Sequence, residues 1–177
     1  MIRRARAVVG ALPMTVVMTW GIAFGRFPAI PSDAKAAELL FEIAGEAHAT
    51  SGDTLEISGR RIRLGGIDAP ELEQECRHSK GKPYPCGKIA MRRLSRLVSG
   101  QEVRCKGDTR DVQHQLLAHC AVGPLSLNEL MVASGWALAD PKTGAEYTRA
   151  EGAAKARREG LWRGQFENPW EWRKKTE

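Results

Sequence analysis

Three kinds of signal are scarce or missing in this sequence of 177 residues, and each absence narrows what the chain can be. No internal repeat or low-complexity segment is present, so one globular domain with extensions is the expected organisation. None of the four cysteines stands in a CxxC spacing, which disfavours a zinc site. Excess positive charge is also modest, because Arg3, Arg4 and Arg6 supply three of the formal +6 charges and leave +3 for the remainder. Charge alone is therefore weak evidence for a nucleic-acid partner.

The N-terminus has an arginine-bearing start followed by an apolar run that Pro13 interrupts. The run has no amphipathic period, is typical of an export signal, and lies near the length border of a membrane span. Two small-x-small sites, at residues 23–25 and 34–36, leave open whether a signal peptide is cleaved or a signal anchor is kept. We predict the signal peptide or anchor over residues 1–25 and a spacer over residues 26–39. The rest of the chain is then expected outside the cytoplasm, as a periplasmic, secreted or N-terminally membrane-anchored protein.

All four cysteines lie in the part of the chain that would be exported. An even number of cysteines in an oxidising compartment predicts two disulfides, with free buried thiols as the alternative. Three pairings are possible. Cys105 and Cys120 fall on the two arms of an expected hairpin, whereas Cys76 and Cys86 bracket one loop. We therefore predict the sequential pairing, Cys76 with Cys86 and Cys105 with Cys120.

The folded domain is predicted over residues 40–173, and its first part contains β-rich segments separated by Ser-Gly turns, as in a meander of strands. In the segment RRIRL, alternation puts Arg61 and Arg63 on one face and Ile62 and Leu64 on the other. The later segments are predicted from their apolar spacing as helices at 87–98, 127–134 and 147–158, with a hairpin at 102–122.

Large aromatic residues are concentrated in the tail, where cations accompany them: the residues are Trp162, Arg163, Phe166, Trp170, Trp172 and Arg173. Aromatic rings beside cations suit a stacking platform for single-stranded nucleic acid. Rings in a tail more often fold back to complete the core of a small domain, and that role is expected here. The basic face of the helix at 87–98 is likewise expected to be solvated.

The clearest chemical signal is the stretch of residues 51–71, SGDTLEISGRRIRLGGIDAPE. Its charged residues that bear on chemistry are Asp53, Asp68 and Glu71 together with Arg60, Arg61 and Arg63. Carboxylates can hold a hard cation through oxygen atoms, and a guanidinium can bind a phosphodiester through two N–H groups. The combination predicts phosphate chemistry.

Over about residues 41–172 the sequence resembles the staphylococcal nuclease (thermonuclease) family. The resemblance is carried, in order, by Gly52-Asp53-Thr54, Arg63-Leu64, Ile67-Asp68-Ala69-Pro70-Glu71, the helix from Gly87, the cysteine hairpin and Ala133-Ser134-Gly135-Trp136-Ala137. It implies an α+β fold in which about three helices pack around a five-stranded OB-type β-barrel. It also implies a bound calcium ion and hydrolysis of phosphodiester bonds in DNA or RNA. We expect a monomer that acts on single strands.

The resemblance assigns roles to five residues. Asp53, Asp68 and the backbone carbonyl of Ala69 match the calcium ligands of the family, an oxygen set that suits this ion. Glu71 matches the carboxylate that orients or deprotonates the attacking water. Arg63 matches an arginine that holds the phosphate while negative charge grows on its oxygens.

Two positions depart from the family pattern. Ser51 replaces an aspartate, which reduces the negative charge near the ion and predicts weaker calcium binding. Gln115 aligns with the second catalytic arginine, in the hairpin turn, and glutamine lacks both the charge and the forked donors of arginine. Losing one such donor typically lowers the rate about a hundred to a thousandfold. Arg110 and His114, in the same turn, are the candidates that would compensate.

Two functions are consistent with these residues. The first is an exported, calcium-dependent nuclease of reduced activity that retains Arg63 and Glu71. The alternative is a catalytically inactive module on the same barrel, which binds nucleic acid, a nucleotide or an envelope protein. Ser51 and Gln115 favour the alternative.

Overall fold

The computed structural model describes residues 41–111 and 115–176 as strands and helices joined by short turns. Its strands are β1 (Phe41–Ala49), β2 (Thr54–Ile57), β3 (Arg60–Leu64), β4 (Ile67–Asp68), β5 (Cys76–His78), β6 (Pro83–Tyr84), β7 (Glu102–Arg110), β8 (Leu116–Val122), β9 (Leu125–Ser126), β10 (Leu138–Ala139) and β11 (Gly164–Gln165). Its α-helices are α1 (Cys86–Val98), α2 (Leu127–Ala133), α3 (Thr148–Ala156) and α4 (Pro169–Thr176). Two 3₁₀ turns, Ala145–Tyr147 and Gly160–Arg163, precede α3 and β11.

Five strands form a closed barrel in the order β3-β2-β1-β7-β8. Neighbours along this order pair antiparallel, and the barrel closes where β3 and β8 pair parallel, with Ile62 opposite Leu116 and Leu64 opposite Ala118. Closure leaves no free edge between the first and last strands of the barrel. The predicted five-stranded OB-type barrel of the α+β class is confirmed.

Alternation along β3 separates the barrel core from the site described below. Ile62 and Leu64 are fully buried among the other barrel side chains, whereas Arg61 is exposed and Arg63 is half-buried. Successive side chains of a strand point to opposite faces, so the aliphatic pair enters the core while Arg63 reaches the outer rim. This is the arrangement that the sequence predicts.

Four helices surround the barrel in the described part of the chain, one more than the predicted number of about three. The first, α1, buries Ala90, Leu94 and Val98, which recur every four residues and form one face of the helix. The additional helix is α4, in the tail, where the sequence predicted only rings that fold back. Five of the eight residues in its segment PWEWRKKT are aromatic or basic, so it carries no apolar helical period that would have predicted a helix.

Both predicted disulfides are present, in the sequential pairing. The Cys105–Cys120 bridge joins β7 to β8 at directly opposite positions of the antiparallel pair. The Cys76–Cys86 bridge joins β5 to the first residue of α1. The first bridge therefore fastens the barrel, and the second fastens the loop that follows Glu71.

The tail returns to this disulfide loop through a short strand pairing. Gly164 of β11 lies opposite His78 of β5, and a Cβ atom at Gly164 would lie only 2.0 Å from the carbonyl oxygen of Arg77. Leu161 is buried against the disulfide, and Phe166 packs on the same small cluster. A residue larger than glycine at position 164 would hold the two segments apart.

Several predictions concern residues that the structure does not describe. The signal over residues 1–25, the spacer over residues 26–39 and His114 lie outside the described residues, and the domain limits of 40 and 173 stay predictions. Among the residues that the structure does describe, no helix has the length and apolar character needed to cross a membrane.

Candidate active site

Arg63 reaches from β3 into a position between two carboxylates. Its Nη2 atom lies 3.1 Å from Oδ1 of Asp68 and 3.5 Å from Oδ2 of Asp53. The backbone positions them, because Asp53 directly precedes β2, the partner of β3, and Asp68 ends β4. Burial lowers the pKa of Arg63, but Asp53 and Asp68 outweigh burial and the pKa is raised. The Arg63 side chain is still 28% exposed.

Asp53 is fixed by hydrogen bonds to both of its carboxylate oxygens. Oδ1 accepts hydrogen bonds from the hydroxyls of Ser51 at 2.7 Å and Thr54 at 3.1 Å. Oδ2 accepts one from the backbone N–H of Ala69 at 3.3 Å. Ser51, which departs from the family pattern, thus contributes a hydrogen bond to the first carboxylate where an aspartate would contribute charge.

Asp68 is the most deeply buried charged group of the site, with 1% of its surface exposed. Burial raises its pKa above the ordinary value, and the nearby charge of Asp53 raises it further. Hydrogen bonding to Arg173 and the charge of Arg63 act in the opposite direction without cancelling the rise. An ionised Asp68 therefore requires positive charge close by.

Glu71 lies in a loop that Gln74 and Gly87 hold in place. Gln74 is fully buried; its Oε1 accepts a hydrogen bond from the Glu71 N–H at 3.2 Å, and its own N–H donates to the Glu71 carbonyl at 2.8 Å. Gly87, in the first turn of α1, is so close that a Cβ atom there would lie 1.8 Å from the same carbonyl oxygen. The Glu71 side chain stays 37% exposed.

Arg173, which sequence reasoning did not place in the site, reaches it from α4. Its guanidinium is bidentate on Asp68, with Nη1 at 3.1 Å from Oδ1 and Nη2 at 2.6 Å from Oδ2. Nη1 also donates to Oε1 of Glu71 at 2.5 Å. Gln74 fixes the approach of α4, because its Nε2 donates to the carbonyl of Glu167 at 2.8 Å. The one sequence signal for Arg173 was the cluster of cations beside the tail tryptophans. That signal did not indicate which residues Arg173 contacts.

The donor set of the predicted calcium site suits a hard cation. Asp53 and Asp68 supply carboxylate oxygens, Ala69 adds a backbone carbonyl, and the raised pKa of Asp68 reflects a demand for positive charge. In this structure that demand is met by Arg63 and Arg173. Within the described residues, no three acidic, histidine or cysteine side chains are grouped so as to hold a metal ion. A cation bound here would therefore have two carboxylates, Asp53 and Asp68, as its side-chain ligands.

Asp111, which binds Gln115 across the hairpin turn, lies close enough for its charge to act on Arg63. Oδ1 of Asp111 accepts a hydrogen bond from the Gln115 N–H at 2.8 Å, and the charge of Asp111 contributes to the raised pKa of Arg63. Of the five predicted residues, the structure joins Arg63, Asp53, Asp68 and Ala69 by direct contacts and Glu71 through Arg173. Compensation for Gln115 by Arg110 or His114 stays a prediction.

Comparison with known proteins shows the family of the chain. A family model described as staphylococcal nuclease homologue matches residues 61–164, which is more than half of the sequence. The chain belongs to the staphylococcal nuclease family. The part that matches this family contains Arg63, Asp68 and Glu71, whereas Asp53 precedes it and α4 with Arg173 follows it.

Individual relatives within the staphylococcal nuclease family differ in their names and lengths. Succinoglycan biosynthesis protein ExoI of Rhizobium meliloti (strain 1021) is 34% identical over 139 residues, which cover 77% of this chain and 71% of that protein. The probable staphylococcal-like nuclease CAN3 of Oryza sativa subsp. japonica is 32% identical over 117 residues, or 64% of this chain and 28% of that protein. The staphylococcal-like nuclease CAN1 of Arabidopsis thaliana has the same identity and length of match, covering 33% of that protein. The plant proteins therefore contain long regions without a counterpart here.

Proposed function

We propose that this protein is an extracytoplasmic, calcium-dependent nuclease that hydrolyses phosphodiester bonds of single-stranded DNA or RNA at a reduced rate. The observation that carries the proposal is the grouping of Arg63 and Glu71 around the buried pair Asp53 and Asp68. Membership of the staphylococcal nuclease family and the nuclease names of the plant relatives support it. The two disulfides support an oxidising compartment.

Each side chain has a role that its geometry allows. Arg63, anchored on Asp68 by one nitrogen, presents the exposed part of its guanidinium to a phosphate oxygen and stabilises the charge that develops there. Glu71 is half-exposed, is joined to the site through Arg173, and orients the attacking water or accepts its proton. Asp53, Asp68 and the carbonyl of Ala69 would hold calcium, which when bound polarises the phosphoryl oxygen.

The formal charges explain why a cation is expected to assist. Three carboxylates, Asp53, Asp68 and Glu71, face two arginines, Arg63 and Arg173, so one negative charge remains. A phosphodiester is itself an anion and is repelled by that excess. A bound dication reverses the sign, so substrate binding is expected to depend on it.

The proposal is tested by cleavage of a single-stranded DNA and a single-stranded RNA by the purified, oxidised protein, with calcium and with a chelator. We expect calcium-stimulated cleavage that falls about a hundred to a thousandfold in Arg63→Ala and in Glu71→Gln. Arg61→Ala is the matched control, because Arg61 lies on the same strand and carries the same charge but is exposed. Cleavage that persists both in chelator and in Glu71→Gln would rule this mechanism out.

The second candidate is the non-catalytic module on the same barrel. It is favoured by Gln115 and by the bidentate contact of Arg173, which covers the carboxylate that a cation needs. The name of the Rhizobium relative, which refers to succinoglycan biosynthesis, is also compatible with a role other than nucleic-acid degradation. A folded protein that binds an oligonucleotide or an envelope protein but cleaves neither DNA nor RNA in calcium would establish this candidate.

A further inference from the structure

Two guanidinium groups meet on a single carboxylate oxygen. Nη2 of Arg63 and Nη1 of Arg173 each lie 3.1 Å from Oδ1 of Asp68. Arg63 belongs to the barrel strand β3 and Arg173 to the C-terminal helix α4. Two cations from distant parts of the chain are therefore held side by side by one buried anion.

Neither arginine uses all of its N–H groups on the carboxylates of the site. The side chains of Arg63 and Arg173 are 28% and 30% exposed. Arginine has five N–H groups, and among the described residues the hydrogen bonds of Arg173 to Asp68 and Glu71 use three of them. The contacts of Arg63 to Asp53 and Asp68 pass through Nη2 alone. Each guanidinium therefore binds carboxylates through some of its N–H groups and has other N–H groups that these carboxylates do not use.

We propose that Arg63 and Arg173 form a two-arginine clamp that binds one phosphate group of a nucleic-acid strand, with Asp68 holding the two guanidiniums in register. Planar, forked donors match the oxygens of a phosphate, and a second fork adds both charge and geometric restraint. The inference rests on the proposed function, because it names the residue that would hold the same phosphodiester from its other side. The family match ends at residue 164, so it assigns no role to Arg173.

Long-range contacts of α4 and of the residues before it hold Arg173 in position. Pro169 at the start of α4 is buried, and Gln74 ties the preceding Glu167 to the loop of Glu71. Lys174 and Lys175, the next two cations of α4, form ion pairs with Glu171 and Glu167 and remain largely exposed. Arg173 alone among these three neighbours contacts the acidic pair Asp68 and Glu71.

The test measures binding of a phosphorothioate-linked single-stranded oligothymidylate, which is hydrolysed slowly, to the whole oxidised chain in calcium. Fluorescence anisotropy compares the parent protein, Arg173→Gln and the charge-matched control Lys174→Gln. The same oligonucleotide with uncharged methylphosphonate linkages is the ligand control. We expect Arg173→Gln to bind the charged strand about ten to a hundredfold more weakly, the factor of a charge-assisted bidentate contact, and Lys174→Gln to stay within about threefold of the parent. Binding of the uncharged strand should not change.

Every other outcome overturns the clamp. Equal or tighter binding by Arg173→Gln means that Arg173 only covers the site, and an equal loss in Lys174→Gln means that bulk charge is responsible. An equal loss on the methylphosphonate strand means that the phosphate is not the target, and a parent that binds neither strand has no clamp. If Arg173→Gln does not fold, as judged by circular dichroism, Arg173→Lys replaces it and is expected to lose about three to tenfold, because it keeps the charge without the fork.

The outcomes for the clamp and for the nuclease are separable. A protein that cleaves in calcium, and whose Arg173→Gln variant binds and cleaves like the parent, refutes the clamp but leaves the nuclease in place. A protein that cleaves nothing, yet loses its affinity for the charged strand in Arg173→Gln, refutes the nuclease and supports the clamp.

Discussion

Asp68 is the residue on which the whole site depends. It is buried, its pKa is raised by that burial, and it contacts both arginines. An ionised carboxylate in such a place costs free energy of folding that only its partners offset. The stability lost on removing one partner is therefore expected to grow with the ionised fraction of Asp68.

This dependence gives a prediction for Arg173→Gln as a function of pH. The hydrogen bond from Arg173 opposes the raised pKa of Asp68, so the variant should have a still higher pKa at this carboxyl. A carboxyl with a raised pKa binds protons more readily in the folded state, so its contribution to stability is lost as the pH rises towards that pKa. Below the pKa that Asp68 has in the parent, this carboxyl is protonated in both proteins and their stabilities differ little. Near neutral pH we expect Arg173→Gln to have lost about 2–3 kcal/mol of unfolding free energy, because Arg63 remains as a partner.

Urea denaturation from about pH 4 to 8 measures this difference. Lys174→Gln is the control and should differ from the parent by a small amount that does not change with pH, since Lys174 is exposed and pairs only with Glu171. A stability loss in Arg173→Gln that is the same at every pH would show that the guanidinium does not stabilise the ionised form of Asp68.

Ser51 shows how a single replacement changes the balance between hydrogen bonding and charge. Its hydroxyl donates to Asp53 at 2.7 Å and stabilises the carboxylate without a cation. A serine at this position lowers the negative charge available to calcium while keeping Asp53 oriented. The weaker calcium binding predicted from the sequence is thus compatible with an ordered site.

At the level of elements, the loop between Glu71 and α1 joins the barrel site to the tail. Gln74 bonds to Glu71 on one side and to Glu167 on the other, and the Cys76–Cys86 bridge closes the loop over a separation of 10 residues. β5 then pairs with β11. The disulfide, the strand pairing and the buried amide together set the distance between Glu71 and Arg173.

A comparison of the two disulfides tests this role. Cys76→Ala with Cys86→Ala is expected to cost about 2–3 kcal/mol of unfolding free energy and, in addition, to loosen α4 from the site. Hydrogen exchange of the α4 amides should then become faster at a denaturant concentration at which the barrel is still folded. The matched variant, Cys105→Ala with Cys120→Ala, removes the bridge that closes a separation of 15 residues between neighbouring barrel strands. Its loss should cost a similar free energy of unfolding. In this variant the α4 amides should exchange only when the whole domain unfolds. If α4 exchanges selectively in this variant and not in the first, the Cys76–Cys86 bridge does not hold α4 at the site.

The elements that were predicted correctly are those whose signal is local. The alternation of RRIRL and the apolar helical spacing over residues 87–98 are local patterns, and the structure has both faces of β3 and a helix whose buried face includes Leu94 and Val98. The charged residues of the stretch 51–71 singled out Asp53, Asp68 and Glu71, and the resemblance supplied the barrel that places them, which no local pattern contains. Neither source placed Arg173, because its position depends on the β5–β11 pairing and on a hydrogen bond between residues 93 positions apart in the sequence.

At the scale of the whole molecule, two distant segments converge on Arg63. The hairpin turn lies near enough for Asp111 to affect the pKa of Arg63, and α4 places Arg173 on the carboxylate that Arg63 contacts. Gln115 stands in the first of these segments and Arg173 in the second. A second cation for the phosphate can therefore come from an arginine at position 115 or from Arg173. An arginine at either position is expected to substitute for the other.

Gln115→Arg tests this substitution, alone and combined with Arg173→Gln, in the calcium-dependent cleavage assay. If Arg173 already binds the phosphate, Gln115→Arg should raise the rate of the parent by no more than about threefold, whereas Arg173→Gln alone should lower it by about a hundredfold or more. The effects of residues that act on one group are not additive. The double variant should therefore cleave at least about tenfold faster than Arg173→Gln alone. Gln115→Lys is the control, since it restores charge without the forked donors and should recover less. If Gln115→Arg accelerates the parent about a hundredfold and Arg173→Gln has no effect, the phosphate has only one arginine in the natural protein, and Arg173 serves the stability of Asp68 alone.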